Sequence, residues 1–138
     1  MDEFTIDPRL SSGADVICEL SLSRLFFSRN ALFPWVILVP RKDNLREIID
    51  LSEEDRMILM REISLASKVM QDIFKPEKLN VAALGNVLPQ LHIHIVARYS
   101  NDAAWPDPVF GKDKAEYEEE RRLELVEKIR GAIEKYND

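Results

Sequence analysis

Cysteine is nearly absent from this chain. Cys18 stands alone among 138 residues, so no internal disulfide can form, and a reducing compartment is the simpler expectation. Long apolar runs are missing as well: none approaches the roughly 18 residues that span a bilayer. The N-terminus carries Asp2, Glu3 and Asp7 rather than the apolar core of a secretory signal. The expectation is a soluble, cytoplasmic protein with no membrane partner. An excess of basic charge is lacking too. With 19 Lys and Arg against 25 Asp and Glu, the formal charge is −6, which argues against general nucleic-acid binding, since that needs a basic stripe. A small anionic ligand is not excluded, because it needs only local donors. There is no internal repeat and no low-complexity segment. Histidine is scarce, with two residues, and both fall within one short stretch.

What is present reads as one domain, residues 1–138. A chain of this length buries about two-thirds of its unfolded surface, and 46% apolar with 32% charged residues is an ordinary globular balance. Residues 1–15, with Pro8 and Gly13, read as an N-terminal arm. Ile17–Leu20 and Leu22–Ser28 have strand character, with Arg29-Asn30-Ala31 as a turn. Trp35-Val36-Ile37-Leu38-Val39, closed by Pro40, is the continuous apolar run of a strand buried on both faces. A helix should start at Ser52, with Asp55 three residues on and Leu51 placed for a hydrophobic staple. Leu59, Ile63, Ala66, Met70 and Ile73 recur at helical spacing as far as Phe74, and Lys75-Pro76 ends the run. Leu79–Leu84 and Gln90–Tyr99 follow as strands around a turn at Gly85–Pro89. Asn101–Gly111, with Pro106 and Pro108, is irregular. A last helix runs from about Lys114 to Tyr136, on a C-terminal extension 112–138, with Leu123, Val126, Ile129 and Ile133 as its apolar line. Strands joined by hairpin-length links, interrupted by one long helix, favour an α+β domain with a mainly antiparallel sheet.

The candidate site is Gln90-Leu91-His92-Ile93-His94-Ile95-Val96. Strict alternation makes it a strand with Gln90, His92 and His94 on one face. Three readings stay open on the residues alone. The two imidazoles can be ordinary side chains on a sheet surface. They can ligate one metal ion, but then a third ligand is needed, and no acidic residue lies between 85 and 100, while Cys18 is remote. Or they can perform nucleophilic and acid–base chemistry, for which imidazole is well suited. An imidazole nitrogen can attack phosphorus and form a covalent intermediate, splitting one hard displacement into two easier ones.

Gly85-Asn86-Val87-Leu88-Pro89-Gln90-Leu91-His92-Ile93-His94-Ile95-Val96 resembles the signature of the histidine triad (HIT) family, which alternates three histidines with apolar residues. Val36-Ile37-Leu38-Val39-Pro40 and Trp105-Pro106 match further elements of that pattern, and the likeness spans roughly residues 20 to 110. The resemblance implies an α+β HIT-like fold and a nucleotide-binding hydrolase or nucleotidyl transferase. Such enzymes act at the α-phosphorus of a nucleoside phosphoramidate, dinucleoside polyphosphate or similar substrate. By position His92 is the nucleophile that becomes nucleotidylated, and His94 contacts the phosphate oxygens. Gln90 occupies the first triad position, where it can buttress a neighbour but carries no proton near neutral pH. Trp35 stands where the family usually has a further histidine; it offers one N–H donor and bulk that narrows the pocket, or it simply packs in the core. Asn86 falls where a polar residue faces the phosphates, although a turn asparagine is an equally plain reading. Asn30 is placed for a ribose hydroxyl and Phe27 or Phe33 for a base, although each phenylalanine also suits a core. Arg41 and Arg98 are the basic groups most able to offset phosphate charge, although a solvated place at a strand end is the plain reading of each. The resemblance implies no metal and no cofactor, and Trp105-Pro106 resembles an element that reaches a partner's site, which implies a homodimer. Its alternative is a nucleotide-binding or regulatory protein that kept the pocket without efficient chemistry.

Overall fold

The structure is a computed structural model and describes residues 4–137. In chain order it runs α1 (Pro8–Ser11), β1 (Ala14–Glu19), β2 (Ser23–Ser28), β3 (Trp35–Pro40), a short 3-10 turn (Ile48–Asp50), α2 (Glu53–Phe74), β4 (Lys78–Ala83), β5 (Ile93–Arg98) and α3 (Glu119–Tyr136). The strands form a five-stranded sheet in the order β1-β2-β3-β5-β4, and every neighbouring pair is antiparallel. This is the α+β fold with a mainly antiparallel sheet that the hairpin-length links imply. Among the described residues no helix is long and apolar enough to cross a membrane.

Side chains alternate across the sheet, and the two faces have different duties. Leu25, Phe27, Val36, Leu38, Ile93, Ile95 and Ala97 pack into the main core with Leu59, Ala66, Val69 and Met70 of α2 and Leu125, Val126, Ile129 and Ile133 of α3. Burying each larger aliphatic side chain stabilises the fold by about 1.5–3 kcal/mol. The opposite face is covered by two smaller clusters. Leu10, Phe26, Ile37 and Val39 gather under the N-terminal arm with Phe4, Ile6 and Leu88. Phe33 and Val96 gather under the 101–111 segment with Ala104, Val109 and Phe110. The second face is therefore roofed by irregular chain, and a cavity remains beside the N-terminal arm.

Local chemistry sets the element ends. Ser52 accepts a hydrogen bond from the Asp55 N–H at 3.1 Å and caps α2. At its other end Lys75 turns left-handed, at φ 50°. It precedes Pro76, and a residue before proline is disfavoured in the helical region. Three expectations need correction. The last helix begins at Glu119, not near Lys114, because residues 115–116 are held extended beside the turn that follows β2: the Ala31 N–H donates to the Ala115 carbonyl at 2.7 Å, and Asn30 bridges Glu116. Leu125, not Leu123, completes the apolar line of α3, and Leu123 faces solvent. The histidine strand starts at Ile93, so Gln90 and His92 lie in the approach to β5 rather than in its ladder.

Candidate active site

β5 pairs with β3 so that Ile37 lies opposite His94 and Trp35 opposite Val96. Trp35, Ile37, His94 and Val96 thus share the face that the helices leave uncovered. His92 arrives from the preceding turn, and its ring meets the His94 ring edge-on at 4.8 Å between centroids. The two imidazoles sit in the wall of a cavity of about 730 Å³, together with Trp35, Ile37, Leu88 and Asn30. Arg9, Arg29, Lys114 and Glu116 also line it. Such a volume lies in the usual range of small-ligand sites.

Each imidazole is held by one nitrogen. Nδ1 of His92 lies 2.6 Å from the backbone carbonyl of Gln90. A carbonyl only accepts, so Nδ1 carries the hydrogen and Nε2 of the neutral ring keeps its lone pair. That is the arrangement a nucleophilic imidazole needs. His94 is held in the opposite sense: the indole N–H of Trp35 donates to its Nδ1 at 3.0 Å. Burial, and then the neighbouring His92, push the pKa of His94 down to about 4, so its ring is neutral near pH 7. Phe110 packs edge-on against His94 at 4.9 Å and against Trp35 at 5.7 Å. Among the described residues there is no group of three or more His, Cys, Asp and Glu side chains arranged to hold a metal ion.

The other expected site residues fare differently. Gln90 touches His92 through its carbonyl, while its side chain is taken by the N-terminal arm: its Oε1 accepts from the Asp7 N–H and its Nε2 donates to the Thr5 carbonyl, both at 2.9 Å. It lines a separate surface cavity with Thr5 and residues 42–46. Asn86 is outside the histidine cavity as well, in a small recess with Arg46, Glu47 and Pro89. Asn30 lines the cavity, but its Oδ1 already accepts from the N–H groups of Leu32 and Ala115 at 3.1 and 3.3 Å. Phe27 and Phe33 are fully buried in the core.

Neither arginine singled out from the sequence reaches the cavity. Arg41 pairs with Glu19 at 2.6 Å and donates to the carbonyls of Leu20 and Ser23. Arg98 is 2% exposed and bonds Asp102, Asn80 and the Asp107 carbonyl. Its guanidinium lies between the rings of Phe33 and Trp105, at 5.7 and 5.8 Å. Asp102, held well below the usual carboxylate range first by Arg98, also accepts from the N–H groups of Tyr99, Ala104 and Trp105. This knot fixes the segment that delivers Phe110.

The sequence marks residues 1–15 as an arm but gives no sign that it lines the site. Asp7 caps the short α1 by accepting from the Arg9 N–H at 2.9 Å. Its carboxylate also grips the Arg9 guanidinium, whose Nη1 reaches the Val87 carbonyl at 3.4 Å. The Asp7-Pro8 pair was the available sign of that helix, a capping residue followed by the proline that favours a first helical turn.

Comparison with known proteins agrees with this construction. The HIT domain matches residues 9–101. A histidine triad protein from Bradyrhizobium japonicum is 40% identical and superposes with a TM-score of 0.93 over 96% of this chain and 99% of that one. A histidine triad protein from Marinobacter aquaeolei VT8 is 38% identical, with a TM-score of 0.92 over 97% and 98% of the two chains. The diadenosine triphosphate hydrolase of Plasmodium falciparum shares the fold, with 20% identity and a TM-score of 0.63 over 96% of this chain and 82% of that one. None of the curated proteins matches the chain. The chain belongs to the HIT domain family.

Proposed function

We propose that the protein is a nucleotide-binding hydrolase or nucleotidyl transferase acting at the α-phosphorus of a nucleoside phosphoramidate, a dinucleoside polyphosphate or a related substrate. The observation that carries this reading is the state of His92. Its Nδ1 hydrogen is committed to the Gln90 carbonyl, which leaves Nε2 as a free nucleophile in a wall of the cavity that also holds His94. In the first step Nε2 attacks the α-phosphorus and a P–Nε2 bond forms, giving a nucleotidyl-histidine. The bond to the leaving amine or phosphate breaks, and that group departs with the electron pair and takes up a proton. Water then attacks the phosphorus and gives up a proton, which balances the one taken by the leaving group, and the bond to Nε2 breaks, releasing the nucleotide and restoring the ring. His94 stabilises the charge that develops on the phosphoryl oxygens, a contribution that is usually large in such chemistry. Gln90, at the first triad position, acts through its carbonyl by orienting His92.

The test is intact-protein mass spectrometry during turnover of AMP and GMP phosphoramidates and dinucleoside polyphosphates. A transient adduct one nucleotidyl group heavier is expected, and it should vanish in His92→Asn while that variant keeps its fold. Turnover at the wild-type rate in the variant would refute the assignment.

A second reading has its own support. Trp35 fills a position where a further imidazole would stand in relatives, and the Gln90 amide is occupied by the arm, so two imidazoles alone face the cavity. A non-catalytic nucleotide-binding protein would bind nucleotide at micromolar levels without adduct or product.

The assembly proposed with this function is a homodimer in the cytoplasm. β4 forms one edge of the sheet, its Val81 is 48% exposed, and Leu84 just beyond it faces solvent. An open edge with apolar side chains is a template for pairing with a second copy.

A further inference from the structure

The second imidazole of the cavity is held by a group that can act in one sense only. An indole N–H donates and never accepts, so the 3.0 Å contact from Trp35 makes Nδ1 of His94 the acceptor. In a neutral ring the hydrogen then belongs to Nε2. A histidine in place of Trp35 would be free to donate or accept, leaving that choice open. Tryptophan removes it.

We infer that Trp35 is a positioning residue that fixes His94 as a neutral Nε2–H donor to a non-bridging oxygen of the bound phosphate, leaving His92 as the imidazole that exchanges covalent bonds. The phosphate role rests on the nucleotide reading above; the tautomer does not. Protonation of Nδ1 would set two N–H donors against each other, so the contact itself opposes a charged ring. The surroundings agree. His94 is 8% exposed and boxed by Trp35 at 5.4 Å and Phe110 at 4.9 Å between centroids. Ile37 of β3 and Ala82 of β4 flank it across the ladder. No carboxylate accepts from either of its nitrogens among the described residues. The charged groups lining the same cavity are Arg9 of α1, Arg29 after β2, and Lys114 and Glu116 before α3. Arg9 and Arg29 are paired with Asp7 and Asp15. Burial of the ring and the proximity of His92 both oppose its protonation.

The experiment is two-bond 1H–15N spectroscopy of the full chain with labelled histidine rings, from pH 5 to 8, with and without AMP. The expected spectrum shows His94 with a bare Nδ1 and a protonated Nε2 throughout that range. Trp35→Phe keeps an aromatic ring and loses the donor. It should give His94 a mixed tautomer or partial charge, and weaken AMP by about tenfold, the fold-change of a lost hydrogen bond to a charged group. A hydrogen on Nδ1 of wild-type His94, or a charged His94 within the range, overturns the inference. So does a Trp35→Phe spectrum identical to that of wild type. Should that variant fail to fold, the wild-type spectrum decides the tautomer by itself. AMP shifting the Nε2 resonance of His94 supports the phosphate role, and AMP shifting His92 alone overturns it. AMP perturbing neither ring sinks the nucleotide reading, and the phosphate role with it, while the ligand-free spectrum still decides the tautomer.

Discussion

His94 shows how a single buried side chain links the site to stability. An unfolded histidine titrates near pH 6.5, whereas burial pushes folded His94 down to about 4. Between those values the unfolded chain binds more protons than the native one, so stability falls as the pH falls. The contribution is complete above about pH 6.5 and drains away towards pH 4. Going from pH 7 to pH 5 should cost about 2 kcal/mol through this one ring. Urea unfolding at the two pH values, on wild type and His94→Gln, measures it: the variant should lose distinctly less. Equal losses would mean that His94 is not held neutral. At this scale the sequence was half legible. The run from Gln90 to Val96 announces two imidazoles on neighbouring alternate positions, and the structure does bring their rings together. It does not announce that Trp35, 59 residues earlier, grips one of them. Nor does it show that the Gln90 amide turns to an arm more than 80 residues away. Hydrogen-bond partners across such separations leave no local periodicity.

At the scale of elements, regular and irregular segments differ in what holds them. α2 can be read directly from its spacing and its cap, because its stability comes from a periodic apolar face and a Ser52 bond three residues long. The 101–111 segment has neither. It is ordered by Arg98 and Asp102, which are 2% and 5% exposed at their side chains and 2.8 Å apart. Removing one partner of a buried pair leaves an uncompensated charge, which typically costs about 3–5 kcal/mol. Asp102→Ala should therefore lower the unfolding free energy by about that amount in a urea titration, and should also loosen Phe110 from Trp35 and His94. A loss below about 1 kcal/mol would show that the segment is held by its apolar contacts alone. Arg98 was read from the sequence as a phosphate partner because charge is visible in a sequence and burial is not. α3 gives the same lesson: Leu123 reads as part of its apolar line, and packing in the core buries Leu125 instead.

For the whole molecule, the division of the sheet into a helix-covered face and a roofed face is what makes a cavity. The order β1-β2-β3-β5-β4 puts β5 between β3 and β4, so the histidines are central and β4 is left at the edge. If two copies pair along that edge, size exclusion with light scattering should report twice the 16.0 kDa chain mass. Val81→Lys, which places a charge on the open edge, should shift the population to single chains without unfolding them. A wild-type protein that scatters as one chain at high micromolar concentration would exclude this assembly.

By itself the sequence determined the local terms: the five strand segments and the two long helices, where α2 starts and stops, and that two imidazoles lie close together at the start of an apolar strand. These follow from side-chain periodicity and capping, which act over a few residues. Tertiary structure alone decided which nitrogen of each imidazole is free, which arginine is buried, and that the N-terminal arm roofs the site. Those outcomes depend on desolvation and on partners far along the chain, and both exist only once the sheet has closed.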